Sequence, residues 1–350
     1  YLHNALMIDG PRFLQHVIEG IDGITTFVER QLADHRVKEQ RLAAMKDAIE
    51  TVVNASEPRL RLVGDYAEKL LDVVESASRY CQNALRQAPP ALTLDSRAWA
   101  KDPRVNAFFA TVDDLRTVLS NAAAVQDFFK KTGRSECFAW MEMVKRETVA
   151  FGTMLEGRML VREAQQIEVN FSEHRLYFPA ASEADLRQEL HQQMLQFLAI
   201  QARKHLTELQ TRRDLLEEQR RQLRAQLDAL REGAPVRPAL LSSADPEERH
   251  LALLEKRLAQ TELDLAEARK PLNTLDDYLE QVRLVLSEPA NILQLHIVAM
   301  RLSRLGIKLD EDSPELGATI SLLELRLPEQ QRIGALVRIP REECLPDPIL

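Results

Sequence analysis

The sequence predicts a mainly α protein: an N-terminal helical bundle, then a small antiparallel β base with a long antiparallel coiled-coil hairpin inserted in it. Leucine stands at 251, 258, 265, 272, 279 and 286, a seven-residue register held six times, as in helices that pair along an apolar seam. On either side of that region the period drops to two, in Ile167, Val169, Phe171 and again in Leu323, Leu325, Leu327, which reads as strand. Only 5% of the 350 residues are aromatic, while Leu, Ala, Arg, Glu and Gln abound, so helix should dominate.

In chain order, Pro11 fits the first turn of a helix. Leu14, Ile21, Val28, Leu42 and Ile49 then repeat, with Val17, Ile24, Met45 and Val52 at companion positions, so one helix reaches Ala55. His35 falls on this apolar register with Gln31 and Lys38; a helix end or an exposed overhang explains it more simply than a metal or proton role. Ser56-Glu57-Pro58 restarts the pattern, and Leu62, Tyr66, Leu70, Val74, Ala77 and Cys81 form a second stripe ending before Ala88-Pro89-Pro90. A third helix is expected from Asp102-Pro103 through Phe108, Leu115, Leu119 and Phe129 to Gly133. A fourth is expected from Ser135-Glu136 through Phe138, Met141, Val144, Phe151 and Leu160. Four apolar stripes make a bundle the simplest way to bury residues 1–165.

Ile167, Val169 and Phe171 alternate with polar neighbours, Ser172-Glu173-His174 interrupts, and Leu176-Tyr177-Phe178 resumes, so residues 166–181 are expected to be a β-hairpin. A second hairpin is expected around Pro328-Glu329-Gln330-Gln331. An isolated hairpin is marginal in water, so the two should join one antiparallel sheet, a base made of 166–181 and 306–340. Between them lies the arm, 182–288. Ser182 and Asp185 make a helix start, and no Pro or Gly follows until Gly233. Gly233-Ala234-Pro235 breaks the helix, and Asp245-Pro246-Glu247-Glu248 starts the return. Pro271 sits inside the leucine repeat; because the heptad phase survives it, a kinked helix is expected. From Arg203 to Glu232 eight basic residues face six acids, and from Glu247 to Glu288 six face ten, a modest complementarity that sets register more than stability. The outgoing helix outruns its return, leaving Leu190, Met194, Phe197, Leu198 and Ile200 for the base or a second subunit.

Ser287-Glu288-Pro289 is expected to start a helix packing on the base over 289–305, through Ile292, Leu295, Val298 and Leu302; residues 341–350 form a tail. Arg301, Arg304 and Lys308 could approach phosphate, as in a winged-helix fragment, although solvated basic residues are the simpler reading.

The formal net charge of −8 disfavours bulk binding to phosphate backbones or anionic lipid. Cys81, Cys137 and Cys344 are too far apart for a disulfide framework or a close-spaced zinc site, which fits a reducing cytoplasm. No apolar run approaches the roughly 18–20 residues of a membrane span, and nothing near the start resembles a signal peptide. The chain opens on Tyr rather than Met, as a fragment would. Phosphate loops, dinucleotide fingerprints and nucleophile elbows are missing, and Thr132-Gly133-Arg134-Ser135 binds nothing by itself. Glu247-Glu248-Arg249-His250 has the spacing of a di-iron ligand pair, but acids at a helix start also answer the helix dipole. No catalytic, cofactor or metal residue is therefore expected. The expected function is a non-enzymatic scaffold or assembly subunit whose arm meets a protein partner or a second copy. The candidate surface is Arg212, Arg213, Arg220, Arg221 and Arg224, and the seam is Leu251, Leu258, Leu265, Leu272, Leu279 and Leu286. The alternative is a DNA-associated accessory protein of a chromosome-organising or defence complex; interleaved Asp214, Glu217 and Glu218 dilute the arginine field and disfavour it.

Overall fold

A computed structural model describes residues 37–156, 159–233, 246–313 and 315–344, and combines helices with a seven-stranded sheet. Helix α1 covers 37–56 and α2 Tyr66–Gln87; a short strand, β1 (Leu92–Thr93), precedes four small helices, α3 (Ser96–Lys101), α4 (Pro103–Phe108), α5 (Val112–Asn121) and α6 (Ala123–Thr132). Two long strands follow, β2 (Glu136–Glu156) and β3 (Met159–Ala180), then α7 (Glu183–Gly233), α8 (Pro246–Arg269) and α9 (Leu275–Ser287). The chain ends in β4 (Gln294–Ser303), β5 (Lys308–Leu309), β6 (Gly317–Leu327) and β7 (Gln330–Pro340).

The strands run in the order β3-β2-β7-β6-β4-β5, and β1 pairs in parallel with the last part of β7, beyond the stretch that β6 occupies. The sheet curls until its two ends meet. Glu168 bridges Ile307, the Val169 N–H donates to the Gly306 carbonyl at 2.8 Å, and Lys308 pairs with Glu147 at 3.6 Å. Gly306 makes this junction with φ +79°, and a Cβ there would sit 3.0 Å from the Val169 carbonyl oxygen.

Each face of the sheet is covered. The concave face sends Cys137, Ala139, Met141 and Met143 from β2, with Ile333, Val337 and Ile339 from β7, against Phe108, Phe109, Leu115 and Phe129 of the small helices. On the convex face Trp140, Leu323 and Leu336 pack against Leu85 of α2 and Leu186 and Leu190 of α7. A third core is purely helical: Ile49 and Val52 of α1, Leu70 and Val74 of α2, Leu198 and Leu206 of α7, Leu279 and Leu286 of α9. Helix α7 thus docks on the sheet with its first turns and on the helical core with its middle.

Several expectations change here. The expected fourth helix is strand β2 and does not complete a four-helix bundle; over 137–143, where both faces of the strand are covered, apolar residues occur in both phases and mimic helical spacing. Correspondingly α1 and α2 share their core with α7 and α9, while α3 to α6 serve the sheet. The expected third helix is cut into three, with Thr111 and Asp114 forming a capping box that starts α5. The expected hairpin over 166–181 is instead part of one strand, β3, which ends at Ala180. Its polar interruption is a bulge: Ser172 pairs with Val144 and Arg175 with Glu142, so Glu173 (φ +55°) and His174 oppose the single residue Met143. The expected helix 289–305 is one tight turn, Pro289–Asn291, followed by β4, whose ten residues all find partners on β6. The second hairpin does form, as β6 and β7 around Pro328 and Glu329. Residues 1–36, with His35 and the Pro11 start, lie outside the described residues, as do the arm tip 234–245 and most of the tail.

One ionic junction ties the C-terminal end of the base to the small helices. Glu343, 5% exposed, accepts the Ser96 N–H at 2.9 Å and the Arg116 Nε–H at 2.9 Å. Burial alone would raise its carboxyl pKa, but these donors outweigh it and hold the group below the usual carboxylate range. A depressed folded-state pKa contributes stability above the unfolded value of about 4.3, and that contribution is lost as pH falls through the folded value. Glu343→Gln should therefore cost about 1–3 kcal/mol at pH 7, with the gap to the native chain narrowing as pH falls below about 4.3. Urea unfolding at a series of pH values between about 7 and 3 measures this; a gap that does not change across the series would show that the charge is not involved.

Candidate interaction surface

Helix α7 is 51 residues long, about 75 Å, and the sequence explains how it is launched and held. The Asp185 N–H donates to Ser182 Oγ at 3.1 Å, and the Ser182 hydroxyl donates to the Asp185 carboxylate at 2.8 Å, which closes the first turn. One turn on, Arg187 donates to the Leu85, Ala88 and Pro89 carbonyls at 2.5, 3.3 and 3.3 Å, satisfying the end of α2, while Glu183 neutralises it at 2.7 Å. The root of α7 is thereby fixed to α2 as well as to the sheet.

Past the helical core, α8 runs back along α7. Arg269 pairs with Glu217 at 2.9 Å, Arg224 with Glu262 at 2.5 Å and Arg231 with Glu255 at 2.8 Å. Each step is seven residues forward on α7 and seven back on α8, so the two helices are antiparallel and in one register over this length. Between the ion pairs Leu227, Leu254, Thr261 and Leu265 are buried. The pairs are exposed and add little energy each, but together they penalise a slipped register.

The seam residues fall in two groups. Leu251 and Leu258 are half-buried and Leu265 is buried, all three on α8. Leu272, Leu279 and Leu286 are buried in the helical core shared with α1 and α2, so the leucine line runs from the arm into the body. Pro271 does not kink a continuous helix: Lys270–Leu272 forms a tight turn and Thr274 begins α9 afresh with a capping box to Asp277. A proline inside the helix would leave a carbonyl unpaired, and the restart removes that conflict.

The arginine group does not act as one patch. Arg213 pairs with Asp214 at 2.8 Å, Arg221 with Glu218 at 2.5 Å, and Arg224 crosses to Glu262. Arg220 sits half-buried with its Nε lacking a hydrogen-bond partner, and Arg212 forms no ion pair among the described residues. The ladder of Glu217, Arg224 and Arg231 facing Arg269, Glu262 and Glu255 was legible from its heptad spacing, yet the density of charge on both helices hid it.

In the base, Arg301 is structural: it donates to the carbonyls of Asp310, Glu311, Ser313 and Glu315 at 2.8 to 3.2 Å and shapes the turn after β5. Lys308 is paired with Glu147, and Arg304 lines a cleft of about 630 Å³ where the sheet ends meet, with Asn106 and Leu305 also on its wall. Two of the three cations suggested for phosphate contact are thus committed within the fold. No group of three metal-ligating side chains comes together among the described residues, and no described helix is long and apolar enough to cross a membrane. The Glu247 and Glu248 side chains lie outside the described residues. No known protein family, curated protein or solved structure matches the chain.

Proposed function

We propose that the chain is a non-enzymatic scaffold or assembly subunit, in which α7 and α8 form an antiparallel coiled-coil arm that a protein partner meets at its tip or flanks. The observation that carries this reading is the heptad-spaced ladder of Arg269–Glu217, Arg224–Glu262 and Arg231–Glu255 over buried Leu227, Leu254 and Leu265. A pair of helices held in register over such a length, rooted at one end by Arg187 and the helical core, suits presentation of a surface at a distance from the base. A DNA-associated role draws less support, because Arg213, Arg221 and Arg224 already face carboxylates.

Replacing Ala234 through Ala244 by a short Gly-Ser link tests the arm. The expected result is unchanged thermal unfolding of the base together with loss of a co-purifying protein when the tagged chain is isolated from its native cells. Identical co-purification with and without the tip would remove the tip from the interaction.

A further inference from the structure

The face of α7 turned away from the seam carries a second, independent surface. Its seam positions, Ala202, Leu206, Leu209, Leu216, Leu223 and Leu227, are buried or half-buried. On the opposite side Ile200 is 45% and Leu215 60% exposed, with Thr207 and Thr211 between them at helical spacing. The Thr207 hydroxyl donates to the Arg203 carbonyl at 2.9 Å and the Thr211 hydroxyl to the Thr207 carbonyl at 2.8 Å. Both hydroxyls are thus satisfied within the helix, and the two methyl groups join Ile200 and Leu215 in an apolar stripe. This stripe is an open face of α7 that runs from Ile200 to Gln219. At 1.5 Å per residue that stretch is about 29 Å long, matching a partner helix of about 20 residues.

Charge says which helix. Arg203, Lys204 and Arg212 lie on this face with the single carboxylate of Glu208, although the whole chain carries −8; Glu57 of the body is also near enough to act on Arg203. Lys204 is engaged by Glu329, whereas Arg203 and Arg212 form no ion pair among the described residues. We propose that this face receives an acidic amphipathic α-helix of a partner protein, its apolar side on Ile200, Thr207, Thr211 and Leu215 and its carboxylates on Arg203 and Arg212. The proposal rests on the assembly-subunit reading and adds the partner's chemistry and a docking place at the root of the arm. A phosphate backbone would gain from the arginines but nothing from the apolar stripe between them, which is why a helix is favoured over nucleic acid.

The test uses the full chain and a fluorescent helical peptide of about 20 residues, with Leu repeating at helical spacing and Glu elsewhere. Fluorescence anisotropy should show saturable binding that weakens as salt rises. Leu215→Glu and Arg212→Glu, both on exposed positions, should each weaken it by about tenfold or more. A peptide of the same composition with the stripe scrambled, and one with Lys in place of Glu, should not bind. Equal binding of either control, absence of saturable binding, or indifference to both substitutions overturns the proposal. If light scattering shows a dimer that Leu215→Glu dissociates, the face belongs to a second copy, and if duplex DNA binds it in an Arg212-dependent way, to nucleic acid; either result also overturns it. The tip-deleted chain should bind the peptide normally, and Leu215→Glu should leave tip-dependent capture intact, so failure of one reading does not imply failure of the other.

Discussion

Gly334→Val should lower the unfolding free energy by about 2 kcal/mol or more, since added bulk in a filled core forces side chains off their rotamers. A Cβ at Gly334 would lie 2.2 Å from the ring carbons of Trp140, which is packed on the convex face of the sheet and donates its indole N–H to Glu142 at 3.0 Å. Moving the ring strains that hydrogen bond and disturbs the core it shares with Leu186 and Leu190, the residues that seat the root of α7, although a cavity of about 150 Å³ beside it sets an upper limit on the cost. Urea unfolding of Gly334→Val, Trp140→Leu and the double variant measures the effect. A coupling of about 1 kcal/mol or more, with Trp140→Leu relieving the valine, is expected for residues in contact. Additive costs would mean that the ring has room to move.

The second large effect separates arm from body. Leu198→Ala removes a fully buried side chain where α1, α2, α7 and α9 converge, and should cost about 2–5 kcal/mol of global stability. Leu227→Ala, buried only where α7 faces α8, should leave the global urea transition almost unchanged while raising amide exchange in α8 and the last turns of α7. Exchange mapped by mass spectrometry against the urea midpoint decides the matter. A global loss from Leu227→Ala equal to that from Leu198→Ala would show that arm and body unfold as one unit.

Where polar residues recur in a fixed phase, an element can be read from its sequence even when packing later covers both its faces, as in β6 and β7. The α7 start at Ser182, its unbroken run to Gly233, the leucine register of α8 and the alternating β6 and β7 segments each carry polar residues in a fixed phase, and that phase is visible in one dimension. Residues 137–143 carry no such phase. Cys137, Ala139, Met141 and Met143 enter one core while Phe138 and Trp140 face another, so apart from Glu142 this stretch is apolar in both phases and its helical spacing is an accident. The same holds for β4, where Leu295 and Leu302 satisfy a helical pattern but pairing with β6 decides the outcome. The polar Ser172-Glu173-His174 looked like a turn because a bulge and a turn use the same residue types.

For the candidate surface, the chain by itself determined two long helices, an outgoing run from Ser182 to Gly233 and a proline-bounded return with a leucine register, because these need only local periodicity and helix stops to be read. Tertiary structure alone decided what those helices are attached to and which of their charges are free. Strand partners that lie far apart in sequence, such as β2 with β7 and β3 with the loop before β5, are chosen by which faces remain uncovered once the other elements have packed. Whether an arginine is paired, as Arg224 is to Glu262, or available, as Arg212 is among the described residues, depends on what stands opposite it in space. Periodicity records the side a residue faces, and only packing records what it finds there.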